Sequence, residues 1–213
     1  SDIAFPNLGL YLENVPKGFF VGDFFIALYG VVIGIGIMLG IEMAAHAAKI
    51  SGKDPEEIWD FAFFAVFFSI VGARVYYIVF SWDSYKNDLL SIFNLRQGGL
   101  AIYGAVIGAF ATLFIYAKVK KRSPFWIGDC GVVGLILGQV IGRWGNFFNR
   151  EVFGEYSDGL FAMRIPIEAI RDRSDISESI RTHMVEGTNY IQVHPTFLYE
   201  SVWNLLGAIL LGV

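Results

Sequence analysis

Long apolar runs alternate with short polar links along this chain. Phe24 to Ile41 carries no charge and ends at Glu42, and Phe61 to Phe80 is interrupted only by Arg74. Gly99 to Ala117 is uncharged and stops at Lys118, while Ile127 to Phe148 holds Asp129 near one end and Arg143 near the other. A fifth run covers Phe197 to Val213. Each is long enough, as a helix, to approach or exceed the thickness of a bilayer's hydrocarbon core, about 30 Å. The pattern predicts an all-α, polytopic helical membrane protein with about five transmembrane helices. It forms one integral-membrane domain over residues 1–213, with an extracytoplasmic segment, 149–196, between the fourth and fifth helices. Inside that segment the alternation from Leu160 to Ile167 predicts a short strand. The fifth run breaks off in apolar sequence at Leu211-Gly212-Val213, without a basic flank or cap, so the chain is expected to continue. The opening Ser1-Asp2 reads as a processed start, and no cleavable signal pattern follows it.

Composition agrees with the pattern. The 213 residues are 55% hydrophobic and 17% charged, and the mean hydropathy is +0.53, where a soluble domain carries about 25% charged residues. A net charge of −4 provides no basic field for nucleic acid. Lys118, Lys120, Lys121 and Arg122 fill the link between the third and fourth runs and place it in the cytoplasm. The N-terminus, the Ser81 to Gly98 loop and the 149–196 segment then fall on the extracytoplasmic side. The lone cysteine, Cys130, excludes an intrachain disulfide and reads as a small packing residue. No spacing suggests a metal or an organic cofactor.

Glycines at four-residue spacing, such as Gly104 and Gly108, or Gly134, Gly138 and Gly142, read as helix-packing positions. The polar residues inside the runs carry the candidate chemistry. Arg143 and Asn146 share a helix face, close to Asn149 and Glu151. A guanidinium fork with an amide donor suits a phosphate; an internal Arg–Glu tie at the helix end, or a snorkelling side chain, is the alternative. Arg74 either joins the same anionic site, or snorkels, or pairs with a carboxylate such as Glu200. Gly98-Gly99 allows a bend that would aim Tyr103 inward, although an interfacial tyrosine is ordinarily a belt residue. His194-Pro195 opens the last run, with Tyr199 and Glu200 a turn inside it. Arg171-Asp172-Arg173-Ser174-Asp175 reads as a solvated surface, as do His46 and His183.

The string Gly142-Arg143-Trp144-Gly145-Asn146-Phe147-Phe148-Asn149-Arg150-Glu151, with Gly154 after it, resembles the signature of the bacterial prolipoprotein diacylglyceryl transferases (Lgt). The Gly-Gly-x-x-x-Tyr-Gly stretch at Gly98, the His-Pro-x-x-x-Tyr-Glu stretch at His194 and Ala27-Leu28-Tyr29-Gly30 resemble further motifs of that family. The resemblance implies transfer of the diacylglyceryl group of phosphatidylglycerol to the lipobox cysteine of a preprolipoprotein, making a thioether and releasing glycerol phosphate. Arg143, Tyr103, Asn146 and Glu151 would be the catalytic residues. Tyr29, Arg74, Gly98, Gly99, Asn149, Gly154, His194, Tyr199 and Glu200 would bind substrate together with Arg143 and Asn146. The expected setting is the bacterial cytoplasmic (inner) membrane, with the active site facing outward, no cofactor, and a monomer with the bilayer, the lipid and the peptide as its partners. Two departures stand out. Tyr103 occupies a position where some members carry histidine, and the family continues through two further C-terminal helices. The competing reading is a non-catalytic lipid-binding or transport protein with an anionic site.

Overall fold

Four of the apolar runs are membrane-length helices in the computed structural model, which describes residues 1–95 and 98–212. They are α1 (Leu28–Ile50), α2 (Pro55–Phe80), α4 (Ile102–Lys120) and α5 (Pro124–Asn149). At 1.5 Å per residue they reach about 28 to 39 Å, enough to cross the hydrocarbon core. Two short helices, α3 (Trp82–Tyr85) and α6 (Glu178–Thr182), lie in the polar links. The fifth run forms α7 (Thr196–Leu210), 15 residues long, and its expected last position, Val213, lies outside the described residues.

The polar segments add β-structure to the expected helices. A four-stranded antiparallel sheet has the order β2 (Leu10–Leu12), β1 (Ile3–Phe5), β5 (Met163–Pro166), β6 (Tyr190–Val193). A separate hairpin pairs β3 (Gly18–Val21) with β4 (Phe24–Ala27) and runs straight into α1. The strand expected between Leu160 and Ile167 is β5, whose alternate residues Met163 and Ile165 are buried. Outside lipid, backbone groups need partners and apolar side chains need cover; pairing the N-terminal strands with β5 and β6 supplies both.

The chain divides into two compact units, Ser1–Gly40 with Leu135–Val213, and Ile41–Gly134, the boundaries falling inside α1 and α5. In the second unit α2 and α4 pack backbone to backbone. A Cβ on Gly104 would overlap the carbonyl oxygen of Gly72, and one on Gly108 that of Phe68. The spacing of Gly104 and Gly108 therefore serves close helix approach. Asp54 caps α2 by accepting from the Glu56 N–H at 3.0 Å, with Pro55 in the first turn. Near that end Tyr116 donates to Asp60 Oδ2 at 2.7 Å and Arg122 pairs with Glu57. Cys130 is buried beside Ala44, Ala45, Ala48 and Ile58, in surroundings fit for a packing residue.

In the first unit the sheet's buried face (Ile3, Phe5, Met163, Ile165, Ile191 and Val193) covers Phe147 of α5 and Phe197 of α7. Burying that apolar surface is worth roughly 25 cal/mol per Å². Trp144 and Phe147 stack edge-on or tilted against Phe197, and Trp144 Nε1 donates to Ser201 Oγ at 3.2 Å, which itself donates to the Val140 carbonyl at 2.7 Å. These contacts clamp the start of α7 along about the last three turns of α5. That clamp sets the register between Arg143 and Glu200.

Candidate functional site

In the first unit Arg143 Nε lies 2.7 Å from Glu200 Oε2. The contact is a charge pair without hydrogen-bond alignment, and Oε2, shielded from solvent, accepts no hydrogen bond. The Arg143 Nη1 and Nη2 nitrogens donate to no group among the described residues, and its side chain remains 35% exposed. Arg143, Tyr199, Glu200, Trp203 and Asn204 line an open pocket of about 440 Å³. A cation with unspent planar donors, beside a carboxylate in an otherwise largely apolar pocket, can hold a phosphate oxygen pair.

The next polar layer begins at the end of α5. Asn146 Nδ2 donates to Glu151 Oε1 at 3.2 Å, and Arg171 Nη1 donates to Glu151 Oε2 at 2.7 Å. The second amide hydrogen of Asn146 has no acceptor among the described residues and can serve a ligand, since a primary amide carries two. Arg171 comes from the mixed-charge run that reads as a solvated surface; its side chain is half exposed, but its tip serves Glu151. Its neighbour Asp172 accepts from the Ser174 hydroxyl and N–H, which holds its carboxyl below the usual range.

Arg150 has a different task. It is 1% exposed, at φ +51°, and its guanidinium donates to Ser1 Oγ at 3.0 Å and to the carbonyls of Val15, Pro16 and Phe148. Burial pulls it below the ordinary arginine value. The left-handed turn at Arg150 ends α5 and, with the Glu151 N–H bonded to the Asn146 carbonyl at 3.2 Å, brings Glu151 back toward Asn146. Neither Arg150 nor Arg171 carries a sequence signal for these roles, because their partners lie far away along the chain.

The remaining expected residues of this unit fall near the same helix ends. The Tyr29 ring rests on Gly145, 3.1 Å from where a Cβ would stand. Gly154 N–H donates to the His194 carbonyl at 3.0 Å, and a Cβ there would lie 2.9 Å from His194 Cβ. His194 Nδ1 is 3.1 Å from the Tyr199 hydroxyl, and Thr196 donates to the Val152 carbonyl. Asn149, half-buried, is the last residue of α5.

Arg74 lies in the second unit, 7% exposed, and all five of its N–H donors are spent on carbonyls. Nε bonds Ile92, Nη1 bonds Gly98 and Gly99, and Nη2 bonds Ser91 and Asn94, at 2.8 to 3.2 Å. Gly98 and Gly99 both have φ near +80°, and a Cβ on Gly99 would stand 2.5 Å from Arg74 Nη1. Glycine is required there for backbone conformation and for space. The Ala101 N–H then bonds the Ala73 carbonyl at 3.1 Å and α4 begins, with Tyr103 in its first turn, 70% exposed and 6.1 Å from the Tyr76 ring.

The fold places the chain among multi-pass helical membrane proteins, and its relatives narrow that class to a transferase. A family model described as prolipoprotein diacylglyceryl transferase matches residues 16–213. A phosphatidylglycerol–prolipoprotein diacylglyceryl transferase of Clostridium botulinum (strain Langeland) is 42% identical over 197 residues, 92% of this chain and 72% of that relative. Those of Staphylococcus haemolyticus and Halalkalibacterium halodurans are 37% and 38% identical, covering 92% and 90% of this chain and 66% and 62% of the relatives. This chain belongs to the prolipoprotein diacylglyceryl transferase family.

Proposed function

We propose that this protein transfers the diacylglyceryl group of phosphatidylglycerol to the lipobox cysteine of a prolipoprotein. The cysteine sulfur attacks the glycerol carbon that bears the phosphate. A C–S bond forms, the C–O bond to phosphate breaks, glycerol phosphate departs, and the thiol proton passes to a base. The observation that carries this reading, beside the family itself, is the state of Arg143. Its two terminal nitrogens are unspent, and they border a pocket at the end of a membrane-length helix. There they neutralise the departing phosphate as its charge grows, and Asn146 adds its free amide hydrogen. The same positive field lowers the substrate thiol from its usual pKa of about 8.5 toward the thiolate.

Glu200 is the proposed proton acceptor: its sheltered Oε2 accepts no hydrogen bond, and the Arg143 cation beside it holds its charge. Glu151, held by Arg171, fixes Asn146. Arg74 acts in this reading as a positioning residue for the Gly98-Gly99 turn and the start of α4. Tyr103, exposed in the first turn of α4, orients substrate in this reading. Tyr29, Asn149, Gly154, His194 and Tyr199 shape the substrate's seat. The basic link at Lys118 to Arg122 faces the cytoplasm of a bacterial inner membrane, so the site opens outward, and the enzyme works as a monomer.

The test combines phosphatidylglycerol vesicles with a lipobox peptide, scoring peptide mass and released glycerol phosphate. The expected result is equimolar diacylglyceryl-peptide and glycerol phosphate. Lipid binding with no change in peptide mass would overturn the transferase reading in favour of a binding or transport protein.

A further inference from the structure

The two edges of the four-stranded sheet are finished differently. Along β6 the preceding segment closes the edge: Tyr156 bridges Val193, the His194 N–H bonds the Glu155 carbonyl at 2.9 Å, and the Gly154 N–H bonds the His194 carbonyl at 3.0 Å. Along β2 no strand or segment pairs on the outer side among the described residues. An uncovered edge presents a row of N–H and C=O groups ready for another strand.

Side chains mark the same edge. The register pairs Ile3 with Leu12 and Phe5 with Leu10, so Leu10 and Leu12 share the core face. Ile3 and Phe5 are buried there, yet Leu10 is 45% exposed, an apolar position on the core side that nothing covers. Tyr11 stands on the other face, 64% exposed. Beside them Asn7 Nδ2 bonds the carbonyls of Asp158 and Gly159 at 3.1 and 2.8 Å, and their chain neighbours Leu8 and Leu160 are both exposed.

We propose that the β2 edge receives an extended segment of the polypeptide substrate as a fifth strand, with the segment lying C-terminal to the modified cysteine. This rests on the transferase reading above, which makes one substrate a polypeptide. The part of that substrate preceding its cysteine is a signal-type apolar stretch that belongs in lipid, so the part that follows is the one available to a sheet outside the spans. The sheet is continuous with the site: β6 leads directly through His194 into α7, and the core under the sheet includes Phe147 and Phe197. From β6 to a strand added outside β2 is four strand spacings, about 19 Å, which an extended chain covers in about six residues. Main-chain bonds to β2 supply sequence-tolerant affinity, and Leu10 asks for one apolar side chain at alternate spacing. A transferase acting on many different polypeptides would gain from such a grip.

The experiment uses the whole protein in phosphatidylglycerol vesicles with two lipobox peptides, one ending two residues after the cysteine and one continuing for twelve. Two or three added backbone hydrogen bonds predict a KM about tenfold lower for the long peptide, with similar kcat. Tyr11→Pro removes a strand N–H and should erase the difference by raising KM for the long peptide. Leu10→Lys keeps the backbone and should do the same more weakly, which separates loss of the ledge from loss of the fold. In parallel, a photo-crosslinking benzophenone side chain at position 11 should capture the long peptide and leave the short one. Equal KM for the two peptides, or a variant that raises both alike, would overturn the proposal. Crosslinking of one copy of the protein to another in place of the peptide would also overturn it. Capture of the long peptide without turnover of either would support the edge site while overturning the transferase reading.

Discussion

Arg74 and Arg143 both interrupt apolar runs of membrane length, and they meet the cost of a guanidinium there in opposite ways. Arg74, in the second unit, binds five backbone carbonyls and has nothing left to offer a ligand. Arg143, in the first, meets one carboxylate and leaves its two terminal nitrogens open beside a pocket. The pair teaches that an arginine within a membrane run marks an obligation to be met; whether the backbone or a substrate meets it depends on the loop that follows. After Arg74 comes a loop that folds back with its carbonyls inward. After Arg143 comes the aromatic clamp to α7, which provides Glu200 and little else.

The sharpest way to break this comparison is to remove each guanidinium in turn. Arg143→Ala should lower transfer at least about a hundredfold, the scale for losing a donor aimed at developing charge. Its melting temperature should stay close to that of the parent, and a variant that instead unfolds would make Arg143 another structural tie. Arg74→Ala should do the reverse, costing about 3 kcal/mol of stability as buried carbonyls lose their donors. Arg74→Lys should recover only part of it, because an ammonium has three donors and no planar fork. Denaturation in detergent, with turnover normalised to folded protein, reads both effects.

A smaller effect is expected at Arg171. Arg171→Ala leaves Glu151 with Asn146 alone and should slow transfer several-fold, about 1 kcal/mol, with little change in lipid affinity. An unchanged kcat would remove the Asn146–Glu151–Arg171 chain from the mechanism. The smallest effect concerns Lys17, whose ammonium is pushed below the ordinary lysine value by burial and then by repulsion from Arg150 and Arg171. Its charged form is the costlier one in the folded protein, a penalty present in full at neutral pH. The penalty lifts as pH rises through the folded pKa toward the free value of about 10.4. Lys17→Met should therefore raise stability near neutral pH by about 0.5 kcal/mol or less after solvent screening, and the gain should fade in alkaline buffer. A gain independent of pH would point to packing instead of charge.

The membrane helices were legible because a 20-residue apolar run has few other meanings in water or lipid. The β5 alternation was legible for the same local reason. β1 and β2 were not, since three residues carry no usable period and their partners lie far along the chain, Ala4 opposite Arg164. Within the site, the shared helix face of Arg143 and Asn146 followed from their spacing. The pairing of Glu151 with Arg171, twenty residues on, did not, because a mixed-charge run looks solvated whether or not one member turns inward. Arg74 illustrates the deeper limit: sequence shows that a charge is buried, and only the fold shows what it is bonded to.

The buried Arg150 also imposes an order on biosynthesis. Its guanidinium holds Ser1, Val15 and Pro16, and the strand beside them waits for β5 and β6. These strands are thus late to find their partners: Arg150 and β5 follow roughly 135 to 160 residues later, about 7 to 32 s at ordinary elongation rates. Until then the N-terminal strands have no sheet to join. The ribosome finishes four membrane-length helices before this sheet can close.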